Sequence, residues 1–145
     1  MKTLALLFTL AFATSQLFAA GEAWQTDLPK ALAQAKTEKK MVLIDFTGSD
    51  WCPPCKNLHK TVMLSEEFAK FAKENLVLVE IDFPKSKPQT PELKAANKEL
   101  SAKYAVRGYP TIIVLDGDGK ELFKKVGYGG TSAADYVADL AKLKK

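Results

Sequence analysis

Trp51-Cys52-Pro53-Pro54-Cys55-Lys56 holds both cysteines of the chain, two residues between them. It follows, after Thr47-Gly48-Ser49-Asp50, on Met41-Val42-Leu43-Ile44-Asp45-Phe46, a mostly apolar run of the kind that forms a strand covered on both faces. Two thiols at that spacing close a small disulfide and reopen it. Zinc ribbons and haem attachment sites use the same spacing, and both are testable on this sequence. Structural zinc takes four ligands, usually as two separated pairs; the chain offers Cys52, Cys55 and its single histidine, His59. Covalent haem attachment needs a histidine directly after the second cysteine, and position 56 is lysine. A bridge closing so short a loop removes little unfolded-state entropy and makes a poor staple. The pattern points to a redox-active dithiol, with a purely structural disulfide as the bland alternative.

Upstream, Met1 to Ala20 has the layout of a secretory leader: Lys2 supplies the positive start, Leu4 to Ala13 the apolar core, and Thr14-Ser15-Gln16 the break before small residues. The apolar core is shorter than the roughly 20 residues that span a bilayer, so stable membrane insertion is not expected. Cleavage is expected between Ala19 and Ala23, which leaves a single domain over residues 21–145 in the periplasm or outside the cell. Thiols there meet oxidants that the cytosol suppresses, so a working dithiol needs a partner to keep its state. Of 21 basic residues the leader takes only Lys2, and it takes none of the 17 acidic ones. The lysines are interspersed along expected helix faces rather than gathered in a stripe, which argues against nucleic-acid binding.

Within the domain, Asp27 as a cap, Pro29 in the first turn, and Ala31, Leu32 and Ala35 predict a helix over about 27–38. After the cysteine motif, Leu58, Val62, Phe68 and Phe71 keep helical spacing. Ser65 before Glu66-Glu67 marks a fresh start, so this region is two helices or one kinked helix. Leu76 to Ile81 is a second central strand. Thr90-Pro91 caps a helix carrying Leu93, Ala96 and Leu100 to about Tyr104. Ile112 to Leu115, the turn Asp116-Gly117-Asp118-Gly119, and Glu121 to Val126 read as an antiparallel hairpin. The aspartates of that turn faintly echo a calcium loop whose other ligands are missing. A final helix from Thr131 or Ser132 is expected to bury Ala133, Val137, Leu140 and Ala141. This order predicts an α/β fold: a central mixed sheet of four or five strands with helices on both faces, Trp24-Gln25 adding a short edge strand.

Ile44-Asp45-Phe46 before Trp51-Cys52-x-x-Cys55-Lys56, Arg107-Gly108-Tyr109-Pro110-Thr111 before a hairpin, and Val126-Gly127 after the last strand give the chain its resemblance to the thioredoxin superfamily. Along Lys56 to Asp82 it looks more like exported thioredoxin-like proteins and the carboxy-terminal domain of the interchange protein DsbD than like cytosolic thioredoxin. The resemblance implies a thioredoxin-like three-layer α/β/α sandwich. It further implies that Cys52 is an exposed attacking thiol, that Cys55 resolves the mixed disulfide, that Tyr109-Pro110 is a cis peptide facing the dithiol, and that Asp45 is the buried acid of the central strand. Two departures stand out. Six residues separate Asp45 from Cys52, one more than in thioredoxin, and Leu78 occupies the position of the lysine expected to pair with that acid.

The chemistry follows from the residues. A thiolate attacks disulfides, so Cys52 needs a pKa lowered from about 8.5. A helix beginning at Pro53 would place it where unpaired backbone N–H groups favour the anion. Asp45, if buried, could exchange a proton with Cys55; its bland role is a strand acid bonded to backbone or water. His59 is more simply a helix-surface residue. Trp51, Pro53, Tyr109 and Pro110 form the expected surface for a substrate segment added as a strand, with Gly127 permitting close backbone approach opposite Pro110. The expectation is a monomeric thiol–disulfide oxidoreductase acting on protein thiols and disulfides with a redox partner protein. It would use the Cys52–Cys55 disulfide and no metal or organic cofactor, with the reducing direction preferred. The alternative is a thioredoxin-like binding module with a vestigial or structural disulfide.

Overall fold

In the computed structural model, residues 23–144 are described, and the expected leader and its cleavage junction lie outside them. The elements run α1 (Leu28–Glu38), β1 (Met41–Thr47), α2 (Pro53–Leu58), a π-helical turn (His59–Met63), α3 (Glu66–Asn75), β2 (Leu76–Asp82), α4 (Pro91–Lys103), β3 (Thr111–Leu115), β4 (Glu121–Val126) and α5 (Ala133–Ala141). Helix starts are set by short polar side chains that accept an otherwise orphaned N–H. Asp27 takes that of Lys30, Ser65 that of Phe68, Thr90 that of Leu93 and Ser132 that of Asp135.

The sheet order is β2-β1-β3-β4, with β1 parallel to β2 and antiparallel to β3, and β3 antiparallel to β4. The expected edge strand at Trp24-Gln25 reduces to one parallel bridge, Gln25 to Val79, so the sheet has four strands. Both central strands are apolar at every other position on each side, and each side of the sheet carries its own core. Val42, Ile44, Phe46, Val77, Val79, Ile81, Ile113 and Leu115 pack with Leu28, Ala31 and Ala35 of α1. Leu43, Leu78, Ile112 and Val114 pack with Leu58, Val62, Phe68, Ala72, Tyr136 and Leu140 on the other face. Phe46 and Phe68 are fully enclosed, one on each side, and burial of this kind stabilises by roughly 2–3 kcal/mol per large side chain.

Two helix faces differ from expectation. In α5 the buried residues are Tyr136 and Leu140, while Val137 is only partly covered and Ala141 is exposed. Tyr136 joins the core on the Leu43 side of the sheet at 4% exposure. In α4 the one buried residue is Asn97, whose Nδ2 donates to the carbonyl of Asp82 at 3.0 Å. Leu93 and Leu100 are half-buried, and Ala96 is exposed. The break expected near Ser65 is real, and the π turn before it carries His59 to Met63 out of α-helical phase.

Candidate active site

The dithiol sits where β1 ends and α2 begins. Pro53 and Pro54 occupy the first turn of α2, where a missing N–H costs nothing, and Cys52 is its N-cap with extended backbone. Cys52 and Cys55 are joined in a disulfide with Cα atoms 5.3 Å apart. The backbone N–H of Cys55 donates to Cys52 Sγ at 3.3 Å, so an orphan donor of the first turn already points at that sulfur. Cys52 is not the exposed thiol that the resemblance implied: it and Cys55 are each only 3% exposed in this oxidised form.

Around the disulfide, Trp51 is half-buried and held on several sides. Its indole N–H donates to the carbonyl of Phe83 at 2.8 Å, its ring meets Tyr109 edge-on at 5.9 Å, and Lys85 Nζ lies 4.2 Å from the ring centroid. A Cβ at Gly48 would stand 2.5 Å from that ring, so glycine there makes room for the indole. Asp50 accepts from the backbone N–H groups of Lys85 (3.0 Å), Ser86 (2.6 Å) and Lys87 (3.2 Å). Those amides hold its carboxyl below the usual carboxylate range. Ser49 bonds Asp82 through both its N–H and its Oγ. The segment before the dithiol and the loop after β2 are thereby tied together. None of these ties was expected, because each joins residues more than thirty positions apart.

Tyr109-Pro110 is a cis peptide bond, and Pro110 is buried just before β3. Gly127 N–H donates to the Pro110 carbonyl at 2.7 Å, which places it opposite the proline as expected. The reason for glycine is different, however: a Cβ there would meet no atom within 4 Å, while its φ of +81° lies in the left-handed region. Pro53 is exposed and lines an open groove of about 470 Å³ with Pro54, Lys56, Asn57, Lys60 and Tyr128. Tyr128 is a groove residue that sequence reasoning missed, although it adjoins Gly127.

Asp45 lies in the middle of β1, between Ile112 of β3 and Glu80 of β2. It shares the face of Leu43, which is covered by α2, the π turn and α5. It is 4% exposed, and its Oδ1 has no hydrogen-bond partner. Burial first, then the charges of Glu80 and Asp82, push its carboxyl up to about 7. A cavity of about 270 Å³ is lined by Asp45, Thr47, Ser49, Cys55, Lys56, His59, Glu80 and Lys87. Asp45 and Cys55 both line this cavity, with the extra residue between Asp45 and Cys52 in place. Leu78, at the position of the expected lysine, is buried apolar core. Among the described residues no group of three or more His, Cys, Asp or Glu is placed to hold a metal ion.

A helix-capping dithiol at the end of a central strand, with a cis Tyr109-Pro110 bond just before β3, defines a thioredoxin-fold redox protein. The family profile of the thioredoxin-like domain matches residues 28–144, and the chain belongs to that family. The disulfide bond reductase DsbH of Chlamydia pneumoniae is 35% identical over 132 residues, covering 91% of this chain and 78% of that protein. A solved structure of a DsbH oxidoreductase superposes with a TM-score of 0.79 at 32% identity, covering 98% of this chain and 94% of the other. The thiol:disulfide interchange protein DsbD of Colwellia psychrerythraea is 30% identical over 118 residues, which span 81% of this chain but 18% of that longer protein. The chain is a thiol–disulfide oxidoreductase of the Dsb type.

Proposed function

We propose that this oxidoreductase works outside the cytosol, in the periplasm or secreted after removal of residues 1–20, and passes electrons to disulfides of protein substrates. The observation that carries the exchange chemistry in this reading is a helix N–H donating to Cys52 Sγ together with a buried, unpartnered carboxyl lining the same cavity as Cys55. In the reduced protein the N–H groups of the first turn of α2 favour the Cys52 thiolate. That thiolate attacks a substrate disulfide: a Cys52–substrate S–S bond forms, the substrate S–S bond breaks, and the first substrate sulfur leaves as a thiolate and takes up a proton. Cys55 gives its proton to Asp45 and attacks Cys52 Sγ. The Cys52–Cys55 bond forms, the second substrate sulfur leaves, and two electrons have moved to the substrate.

Trp51, Pro53, Tyr109, Pro110 and Gly127 receive the substrate segment, which lies beside the cis-proline as an added strand. Because Cys52 is covered in the oxidised form, a partner must open its surroundings to reach the sulfur. The enzyme acts as a monomer without metal or organic cofactor, and a redox partner protein restores the dithiol. The reducing direction draws support from the resemblance to exported reducing domains and from the name of the chlamydial relative. The Cys55→Ser variant tests the roles of the two sulfurs: it should accumulate mixed disulfides with protein substrates through Cys52, and an empty trap would refute them. Direction is read from equilibration with glutathione, where a potential near roughly −270 mV fits a reductase and one near roughly −120 mV would overturn the assignment.

A further inference from the structure

Glu80 is a carboxyl that the mechanism above leaves unused. It lies on β2 directly beside Asp45 in the parallel register, on the same face of the sheet. It lines the cavity that holds Asp45 and Cys55, and it is half-buried where Asp45 is enclosed. We propose that Glu80 acts through Asp45 as a positioning residue, setting how tightly Asp45 holds its proton and carrying that proton between Asp45 and solvent across the shared cavity.

Three observations converge on this. Asp45 Oδ1 is buried without a partner, so a proton there has no protein acceptor in place. The cavity is the space onto which that carboxyl opens, and Glu80 reaches it from the adjacent strand with partial access to water. The charge of Glu80 also raises the proton affinity of Asp45. Burial raises the proton affinity of Glu80, Asp82 raises it further, and His59 and Lys87 oppose that rise. The charged and titratable groups facing the pair are Asp82 on β2, Lys56 on α2, His59 on the π turn, Lys87 on the loop after β2, and Tyr136 on α5. The π turn begins at His59, and such departures from α-helical winding often sit at working sites.

The inference rests on the proton role assigned to Asp45, and the test separates the two. Carboxyl carbons of the oxidised protein are followed by NMR from pH 3 to 10 in the wild type, Glu80→Gln and Asp45→Asn, and the Cys55 attack step is timed by rapid mixing in each reduced form. The wild-type Asp45 and Glu80 curves should each show two coupled inflections. Removing the Glu80 charge should lower the Asp45 midpoint by at least about half a pH unit. The attack step should slow by about tenfold, less than the roughly hundredfold or more that follows loss of a proton-transfer group itself, because Asp45 is kept, with KM unchanged. An Asp45 midpoint unmoved in Glu80→Gln, or an unchanged attack step, overturns the inference even where the Asp45→Asn variant is slow. An attack step unchanged in Asp45→Asn refutes the underlying role of Asp45 instead. Independent, single-inflection curves in the wild type overturn the coupling without any variant.

Discussion

Asp45 should destabilise the oxidised protein at neutral and alkaline pH, and replacing it with asparagine should show by how much. Its carboxyl titrates at about 7 in the folded chain against an ordinary value of 3.8. A raised carboxyl pKa means that the folded state binds more protons than the unfolded one between those values, so stability falls as pH rises through that window. At about 1.4 kcal/mol per pH unit the interval sets a ceiling of roughly 4 kcal/mol, reached above pH 7. Below the unfolded value the acid is neutral in both states, and this contribution vanishes. Asp45→Asn has no charge to desolvate, so its stability relative to wild type should climb between pH 4 and 8 by at least about 2 kcal/mol, allowing for relaxation around the buried acid. Urea unfolding of both oxidised proteins at pH 4, 6 and 8 measures the difference directly, and comparing pH values cancels the fixed cost of placing an amide in the cavity. A stability gap that stays flat from pH 4 to 8, or moves against the variant, would refute the buried, uncompensated carboxyl.

Two further outcomes are specific to the surroundings of the dithiol. Asp50→Ala removes the acceptor shared by three successive amides, so hydrogen exchange at Lys85, Ser86 and Lys87 should accelerate by about tenfold or more while the sheet amides keep their protection; unchanged exchange would mean that the carboxylate does not brace the loop. Gly127→Ala should cost about 1–2 kcal/mol in urea unfolding, from the left-handed backbone alone, because no atom crowds the added methyl group. A loss above roughly 3 kcal/mol would point instead to a rupture of the bond to Pro110, and a neutral result would contradict the positive φ.

The strands and the dithiol were legible because each depends on neighbours in the chain. The apolar run at Met41 to Phe46, the proline pair inside the cysteine motif and the Thr90-Pro91 helix start state their conformations locally. What escaped depends on register and on volume. Glu80 looks like an ordinary polar position in a strand until the parallel pairing sets it beside Asp45. Tyr136, with Leu140, takes the buried face of α5 where the small residues were expected, and joins the core on that side of the sheet. The burial of Cys52 and the grip of Asp50 on the loop after β2 likewise come from segments far apart in sequence, which no local pattern encodes. The glycine at position 127 was placed correctly for a mistaken reason: backbone handedness, not crowding, demands it.

A single sulfur, Cys52, is assigned to every encounter with a partner, and it is covered in the oxidised form while its neighbour Pro53 is exposed. Under the proposed cycle, whichever protein supplies electrons and whichever receives them must queue for a single doorway. No ternary assembly is then possible, turnover follows ping-pong kinetics, and an excess of either visitor slows the other.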